Sequence, residues 1–265
     1  MPLNNPGPNL ANVAITGGSI TGITDLAIAD GGTGASTAAG ARTALGLEYP
    51  TQNFVFYEDF LCGNPCSTTT SGTGASITIG DAIDAGHIGT AVITSGTTTT
   101  GRATLSPVAA GQALLLGGGT MTYETLVYLP DAVSDGTDTY TTYIGFNDSS
   151  SASGLDAVMF RYTHSVNSGK FECVTRSNNT ETAVDSGITV ATTTWYKLGI
   201  TVNAAASSVT FSINGSVVAT ITTNIPSGTG RLTAPLIGIV KSAGTNARRI
   251  LVDYIYCRID LTTAR

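Results

Sequence analysis

The sequence predicts a mainly β protein, in which an antiparallel sandwich of two sheets follows an extended N-terminal arm with one short helix. Three observations favour this fold class. Apolar and polar residues alternate from Trp195 to Val202 and again from Val209 to Ile213, as in half-buried strands. The dipeptide Asn214-Gly215 follows the second run and is typical of a hairpin turn. Charged residues make up 11% of the chain, against about a quarter in an average soluble domain.

The hairpin at Asn214-Gly215 has two possible registers. A two-residue turn would pair Ile213 with Ser216 and turn the apolar residues of the next strand towards solvent. A three-residue connection with a bulge keeps the apolar residues of both strands on one face, so we predict this register. The pairs that it predicts are Ile213–Val217, Phe211–Ala219 and Val209–Ile221.

The remaining strands follow from similar patterns. The aromatic run from Phe54 to Leu61 is the predicted first strand and Ile250 to Ile259 the last, and we expect these two to pair. We predict two further antiparallel pairs, 121–129 with 138–146 across an acidic loop, and 157–163 with 170–176. Shorter strands are predicted near 75–79, 90–94, 102–105 and 112–116, and the Thr-rich runs 67–74 and 97–101 are predicted to be loops.

Residues 1–47 differ from the rest of the chain, because they contain almost no aromatic residues and repeat Ile-Thr-Gly units. Such a segment cannot bury a core alone, so neighbouring copies must cover its apolar side chains. We predict an oligomerisation and docking arm, with a flexible linker as the alternative. The residues expected to make these contacts are Ile15, Ile20, Ile23, Leu26, Ile28, Leu45 and Leu47.

The end of this arm, IADGGTGASTAAGARTALGL, contains a predicted helix from Ala38 to Leu45. Ser36 or Thr37 is placed to cap it, and Gly46 suits its left-handed end. The segment resembles the collar-like repeat of bacteriophage tail-fibre proteins, in which Gly-Gly-Thr-Gly-Ala precedes a short Ala/Arg helix ending in Leu-Gly-Leu. This resemblance implies a homotrimeric virion fibre or spike whose N-terminal part attaches to the particle and whose C-terminal part projects outward.

A second resemblance lies in TWYKLGITVNAAASSVTFSINGSVVATI, which is similar to the central strands of concanavalin-A-like and laminin-G-like sandwiches. It implies a lectin-like jelly roll. We therefore predict an arm over residues 1–47, a linker over 48–53 that contains Pro50, and a lectin-like sandwich over 54–265.

Charge and composition limit the partners. The formal net charge is −6 and the sequence pI is near 4.7, with Arg248-Arg249 as the one pair of adjacent basic residues. We therefore expect no nucleic-acid partner. The first ten residues carry neither a cationic segment nor an apolar run, and no apolar stretch is long enough to cross a bilayer. We therefore expect the protein to be synthesised in the cytoplasm and not to insert into a membrane.

The four cysteines, Cys62, Cys66, Cys173 and Cys257, lack the spacing of a zinc ribbon or a CxxC redox site. We expect free thiols, and a local Cys62–Cys66 bridge is the alternative. No cofactor and no metal site are predicted.

Aromatic and amide side chains suggest a glycan-binding surface. Tyrosine rings beside amides and carboxylates are the groups that saccharide recognition uses, and a Trp at a strand start can stack on a sugar ring. For the Trp, a core edge or a subunit contact is the alternative. The candidate residues are Tyr140, Tyr143, Asn147, Asp148, Tyr162 and Trp195, with Asn178 and Asn179 nearby.

Acidic residues and histidines give weaker candidates. Glu58 and Asp253 would approach each other if the first and last strands pair, with Arg248, Arg249 or Arg258 as the counter-ion, or would serve a glycosidase. The acids Asp131, Asp135, Asp138, Asp148 and Asp156 are either calcium ligands or solvated loop residues, and we favour the second reading. His87 and His164 lie in loop-like contexts without a nucleophile pattern. We therefore predict no catalytic residue and no enzyme.

These inferences together predict a structural protein of a bacteriophage virion. It would be a tail or surface fibre that displays a β-sandwich for attachment to host-surface glycan, with avidity from multiple copies. Its expected partners are its own copies in a homotrimer, other virion proteins through the arm, and the host glycan. A capsid decoration or head-fibre protein is the alternative, followed by a tail-borne polysaccharide depolymerase.

Overall fold

The computed structural model describes residues 37–45, 52–61, 63–80, 83–107, 113–150, 154–163, 166–263 and 265. The chain divides into two units, Met1–Tyr49 and Pro50–Arg265, and this division falls inside the predicted linker. In the first unit the described residues form helix α1, Ala38–Ala44. The Thr37 hydroxyl accepts a hydrogen bond from the Gly40 backbone N–H at 3.0 Å, so Thr37 is the predicted N-cap.

Most of the predicted arm contacts fall outside the described residues. This applies to Ile15, Ile20, Ile23, Leu26, Ile28 and Leu47, and also to Gly46. Leu45 is described and is 53% exposed. No described helix has the length and the apolar character that crossing a membrane requires.

The described residues of the second unit form sixteen strands. In chain order they are β1 (Asn53–Glu58), β2 (Ser67–Ser71), β3 (Ser76–Ile79), β4 (Ala91–Thr94), β5 (Arg102–Ser106), β6 (Leu114–Leu115), β7 (Gly119–Tyr128), β8 (Tyr140–Asn147), β9 (Ala157–Thr163), β10 (Lys170–Ser177), β11 (Thr180–Thr189), β12 (Trp195–Val202), β13 (Val209–Ile213), β14 (Ser216–Ile221), β15 (Leu232–Lys241) and β16 (Arg249–Leu261).

The strands form two antiparallel sheets. Sheet 1 has the order β14-β13-β12-β7-β16-β4-β3, and β1 also pairs with β16. Sheet 2 has the order β11-β10-β9-β8-β15-β5-β2, and β6 also pairs with β15. The predicted mainly β, two-sheet sandwich is therefore confirmed.

The core lies between the sheets and follows the alternation of the strands. Along β12 the buried residues are Tyr196, Leu198, Ile200 and Val202, while Trp195 and Lys197 point outward. Aromatic rings join the sheets edge to face, with 5.3 Å between the centroids of Phe160 and Phe211 and 5.2 Å between those of Phe171 and Tyr196. Each such pair contributes about 1 kcal/mol beyond the area that it buries.

The β13–β14 hairpin combines both registers that the sequence allowed. Asn214 and Gly215 have φ angles of 52° and 82° and form a two-residue turn that pairs Ile213 with Ser216, so the predicted Ile213–Val217 pair is wrong. A bulge then shifts the ladder at Val218, and the predicted pairs Phe211–Ala219 and Val209–Ile221 are formed. The extra residue is absorbed after the turn rather than in it.

Two other predicted pairings are confirmed, and one is wrong. β1 pairs with β16, and β9 pairs with β10. β7 and β8, which were expected to pair, lie in different sheets, because the acidic loop between them crosses the sandwich. The Thr-rich run that begins at Ser67 forms strand β2 instead of a loop, in line with the preference of the β-branched Thr for strands.

The long strand β16 organises sheet 1. One edge of β16 pairs with β7, while the other pairs with β4 in its N-terminal half and with β1 in its C-terminal half. A bulge at Asp253 lies between these halves. β1 starts opposite Asp260, so the chain enters sheet 1 at the C-terminal end of β16.

The described cysteines, Cys66, Cys173 and Cys257, are buried free thiols. Burial raises the pKa of each thiol to about 12, so all three are unreactive. Cys62 lies outside the described residues.

Candidate functional site

Two of the predicted glycan-binding tyrosines belong to the core. Tyr140 and Tyr162 are each 1% exposed, and their rings meet edge to face at 5.8 Å. The Tyr162 hydroxyl accepts a hydrogen bond from the Ser134 N–H at 2.9 Å, and the Tyr140 hydroxyl donates to the carbonyl of Ala132 at 3.3 Å. Both side chains point between the sheets, as Phe146 does, because they occupy the alternate positions of β8 and β9 that face the core. Their prediction as an exposed surface is therefore wrong.

The other candidates on sheet 2 stabilise a local loop. Asn147 is 1% exposed, and its Oδ1 accepts hydrogen bonds from the N–H groups of Ser149 and Gly154. Burial raises the pKa of the neighbouring Asp148. Tyr143 lies on the outer face of sheet 2, packed against a small cluster of Ala157, Met159 and Val174. Asn178 and Asn179 form the β10–β11 turn. These residues do not form one exposed aromatic surface.

The outer face of sheet 2 also carries a closed set of ion pairs. Arg161 pairs with Glu172 at 2.9 Å and with Glu181 at 2.8 Å, and Arg176 pairs with the same Glu181. Desolvation opposes ionisation of Glu181, but the hydrogen bonds and charges of the two arginines outweigh it and lower the pKa of Glu181. These groups satisfy one another, so this face offers few free polar groups to a ligand.

The acidic loop residues form ion pairs with arginines or accept hydrogen bonds from backbone N–H groups. Asp131 pairs with Arg249, Asp135 accepts from the N–H groups of residues 137 and 138, and Asp156 accepts from Asn178 and Arg231. Within the described ranges no group of three His, Cys, Asp or Glu side chains is arranged to hold a metal ion. The calcium alternative therefore has no ligand set in this part of the chain.

Glu58 and Asp253 do not form the expected pair. The Glu58 carboxylate accepts a hydrogen bond from the Phe60 N–H at 2.6 Å and lies on the inner side of β1. Each of the three candidate arginines pairs elsewhere, as Arg248–Asp138, Arg249–Asp131 and Arg258–Asp260. The strands pair as expected, but side chains alternate between the two faces of the sheet, and this alternation places the two carboxylates on opposite faces.

Trp195 is the predicted residue around which a surface does form. It lies on the outer side of β12, directly opposite Tyr128 on β7, and the two ring centroids are 5.0 Å apart. The His87 ring stacks on Trp195 at 4.1 Å with an interplanar angle of 10°. The His87 Nδ1 atom lies 2.8 Å from the Asp84 Oδ1 atom. The side chain of His87 is 20% exposed, so the stack stands at the surface.

Asp253, at the bulge in β16, interacts electrostatically with His87 of this stack. A bulge inserts one residue and redirects its side chain, and here Asp253 is the inserted residue between Val252 and Tyr254. Burial raises the pKa of Asp253, as do the carboxylates of Asp84 and Asp59, while His87 opposes the rise. The pKa of Asp84 is lowered, first by its hydrogen bond with the His87 ring and then by the Gly86 N–H.

The surface continues across four neighbouring strands. Tyr57 on β1 is 57% exposed and stacks on Tyr254 of β16 at 6.0 Å. The Tyr254 hydroxyl donates to the Glu124 Oε1 atom on β7 at 2.7 Å. The Lys197 ammonium on β12 lies 2.9 Å from the Glu124 Oε2 atom. Polar contacts therefore connect β16, β7 and β12, and the ring stack of Tyr57 on Tyr254 adds β1.

We call this surface the aromatic face. It comprises the rings of Tyr57, His87, Tyr128, Trp195 and Tyr254, the carboxylates of Asp59, Asp84, Glu124 and Asp253, and the ammonium of Lys197. By strand spacing and rise per residue it extends about 20 Å from Trp195 to Tyr57, which is longer than one sugar ring. From the sequence, Trp195 was the predicted sugar-stacking residue of this face, while Asp253 was considered as a carboxylate paired with Glu58 and His87 as a loop residue. The residues of the face meet only through strand register and the loop that carries His87.

The chain matches a family model over residues 86–253, which is described as the C-terminal domain of SO2946-like proteins. The chain belongs to the SO2946-like C-terminal domain family. The matched range of this SO2946-like domain includes His87, Trp195 and Asp253. A search of curated protein sequences gives no match.

Solved structures share the fold of the SO2946-like domain. The protein of unknown function SO2946 from Shewanella oneidensis MR-1 is 14% identical, with a TM-score of 0.60 over 87% of this chain and 98% of its own. An endo-beta-1,4-glucuronan lyase from the fungus Trichoderma reesei is 12% identical, with a TM-score of 0.50 over 78% of this chain and 97% of its own. An endo-1,3-beta-glucanase from Streptomyces sioyaensis is 13% identical, with a TM-score of 0.49 over 80% and 98%.

This comparison corrects one expectation from the sequence. We predicted that the chain is not an enzyme, and the similarity to the glucuronan lyase overturns that prediction, because the same sandwich carries a polysaccharide-cleaving activity there. At these identities the similarity concerns the fold, and the site of the SO2946-like domain has to be interpreted from its own residues.

Asp138 gives a testable measure of the buried polar contacts. It is 3% exposed and accepts hydrogen bonds from the Asn246 side chain at 2.6 Å and from Arg248 at 3.0 Å. The Asn246 side chain, with help from the Arg248 charge, lowers the pKa of Asp138. We expect Asp138→Asn to reduce the free energy of unfolding at neutral pH by about 3 kcal/mol, because it leaves Arg248 without its partner.

The pH dependence of this effect has a defined sign. A lowered carboxyl pKa stabilises the fold above its unfolded value near 3.8, and this contribution is lost as the pH falls through the folded value. Urea unfolding should therefore show the difference between Asp138→Asn and wild type shrinking below about pH 4. As the control, Asp131→Asn breaks a more exposed pair with Arg249 and should cost less than about 1 kcal/mol. Equal losses for the two variants would contradict the prediction.

Proposed function

We propose that this chain is a surface protein of a bacteriophage particle, a fibre or spike that presents its β-sandwich to host-surface glycan. The observation that carries the proposal is the aromatic face on the outside of sheet 1. Exposed or half-buried rings beside carboxylates are suited to sugars, because rings pack against the apolar faces of a pyranose and carboxylates accept hydrogen bonds from its hydroxyl groups.

The position of the aromatic face supports display. Within the sandwich, β1 begins opposite Asp260, and this part of β16 pairs with the start of β7 near Gly119. Trp195 pairs with Tyr128 at the other end of β7. The ten residues of β7 span about 30 Å, so the Trp195 end of the aromatic face lies far from the point where the chain enters the domain. A domain held at one end would present this surface at the other.

The N-terminal segment supports the assembly part of the proposal. It carries the Gly-Gly-Thr-Gly-Ala motif that resembles the phage collar-like repeat, and the capped helix α1 is the short helix expected after that motif. We propose a homotrimer that contacts other virion proteins through residues 1–47 and is located on the tail or the capsid surface. Three weak sites on one trimer, repeated over a particle, would give strong overall binding by avidity.

Glycan arrays provide the direct test of the aromatic face. The wild-type chain should bind at least one bacterial surface polysaccharide, and Trp195→Ala should weaken this binding about tenfold or more, since truncating an aromatic anchor of a binding surface costs on the order of 2 kcal/mol. Tyr57→Ala, which removes an exposed ring, should weaken it as well. The matched control is Tyr143→Ala on the outer face of sheet 2, which should leave binding unchanged. Binding that depends on Tyr143 rather than Trp195 would place the site on sheet 2 and refute the assignment to the aromatic face.

Location in the particle is tested separately. Antibody-labelled electron microscopy of purified virions should show the protein at the tail or as projections from the surface, with the sandwich outermost. Label confined to positions between capsid subunits would favour a decoration protein instead. Particles that lack the protein altogether would refute the virion proposal.

Polysaccharide cleavage is a second candidate for the same face. The environment raises the pKa of Asp253 and lowers that of Asp84, and two carboxyl groups that differ in this way are suited to the roles of acid and base. In hydrolysis, Asp253 would protonate the leaving glycosidic oxygen, while Asp84 would take a proton from the water that attacks the sugar carbon.

Cleavage is measured by the release of new reducing ends from any polysaccharide that the array identifies. If the face cleaves polysaccharide, Asp253→Asn should abolish the release of reducing ends while the polysaccharide still binds. Asp260→Asn on the same strand is the control and should leave the release unchanged. Polysaccharides that bind and remain intact would exclude cleavage and leave the attachment proposal standing.

A further inference from the structure

The charges of the aromatic face are strongly one-sided. Four carboxylates, those of Asp59, Asp84, Glu124 and Asp253, stand among the five rings. The cationic groups of the face are the His87 imidazole, which pairs with Asp84 when it is protonated, and the ammonium of Lys197. This ammonium is engaged at 2.9 Å by Glu124. The described arginines next along β16 are also paired, Arg249 with Asp131 and Arg258 with Asp260, each at 2.8 Å. A ligand on this face therefore meets mostly negative charge.

The titration of the face reflects the same negative potential. Burial and then the carboxylates of Asp59 and Asp253 raise the pKa of the exposed Tyr57. Burial is the main cause of the raised pKa of Asp253, to which Asp84 and Asp59 add and which His87 opposes. Desolvation and the hydrogen bond to Glu124 raise the pKa of Tyr254, and Asp253 acts in the same direction. Neighbouring carboxylates therefore add to the effect of burial at each of these three groups.

The combination of rings and carboxylates has a defined chemical complement. An ammonium group is attracted to the face of an aromatic ring, and it also pairs with carboxylates. A carboxylate ligand meets the opposite situation, because like charges repel and the one ammonium is already neutralised. Neutral sugars stack on the rings without either charge effect.

We infer that the aromatic face selects glycans by charge: it takes amine-bearing, glucosamine-type polysaccharide in preference to neutral glycan, and it rejects uronic-acid polysaccharide. This inference rests on the proposed glycan-binding function and names its ligand class. It also separates this chain from the glucuronan lyase with which it shares a fold, whose named substrate is a polymer of uronic acid.

Calorimetry with three β-1,4-linked oligosaccharides tests the inference on the full-length chain. The probes are oligomers of glucosamine, N-acetylglucosamine and glucuronic acid, at about pH 6 and low salt. We expect the glucosamine oligomer to bind on the order of tenfold more tightly than the neutral one, and the glucuronic acid oligomer not to bind. Raising the salt to about 0.5 M should remove most of the preference, because the charges are exposed to solvent.

A double variant assigns the preference to specific residues. Asp84→Asn with Asp253→Asn should reduce glucosamine binding about tenfold more than it reduces binding of the neutral oligomer. Circular dichroism and Trp195 fluorescence of the free variant show whether the face remains folded. The matched control is Asp185→Asn, which removes an exposed carboxylate on sheet 2 and should change nothing.

The outcomes distinguish failure of the charge selection from failure of the proposed glycan binding. Absence of binding to all three oligomers, and to the wider array, overturns both. Binding of the glucuronic acid oligomer as tight as that of the glucosamine oligomer, or a preference insensitive to salt and to the double variant, overturns the charge selection and leaves glycan binding intact.

Discussion

The hydrogen-bonded ladder along β16 is the constraint on which sheet 1 depends. This strand has thirteen residues, and one of its edges is shared by two shorter strands, β4 and β1. Two strands cannot occupy one edge without an interruption, and the interruption coincides with the bulge at Asp253. The same strand contributes Ile250, Val252, Ile255 and Cys257 to the core, so the bulge must change the outer face while the inner face keeps its packing.

The chemistry of the domain is concentrated at that interruption. Elsewhere on the surface, charged side chains find partners within hydrogen-bond distance, as the Arg161–Glu172–Glu181 set does on sheet 2. Beside the bulge, burial raises the pKa of Asp253, and the charges of Asp84 and Asp59 add to this rise while His87 opposes it. Such an arrangement costs folding free energy, and proteins tend to retain that kind of cost where a ligand is bound.

Local pattern predicted most of the elements, missed β2, β11 and β15, and was insufficient for the assembly of the sheets. Alternation located β12, β13 and β16, and the capping logic at Thr37 located α1. The membership of β7 and β8 in different sheets is a long-range property that no window of sequence contains. Strand parity could have placed Tyr140 inside, since it shares a face with Ile144 and Phe146. The aromatic face brings together residues from Tyr57 to Tyr254, so only the register across four strands reveals it.

The stack of His87 on Trp195 has a practical consequence, because Trp195 is the only tryptophan in the chain. Its fluorescence reports on a single place, and that place is the candidate site. A neighbouring imidazole ring and any sugar that displaces it give the indole different surroundings, so emission intensity and wavelength would follow occupancy without an added dye. Trp195 is thus an intrinsic fluorescent probe of the candidate site, and ligands can be screened without an engineered label.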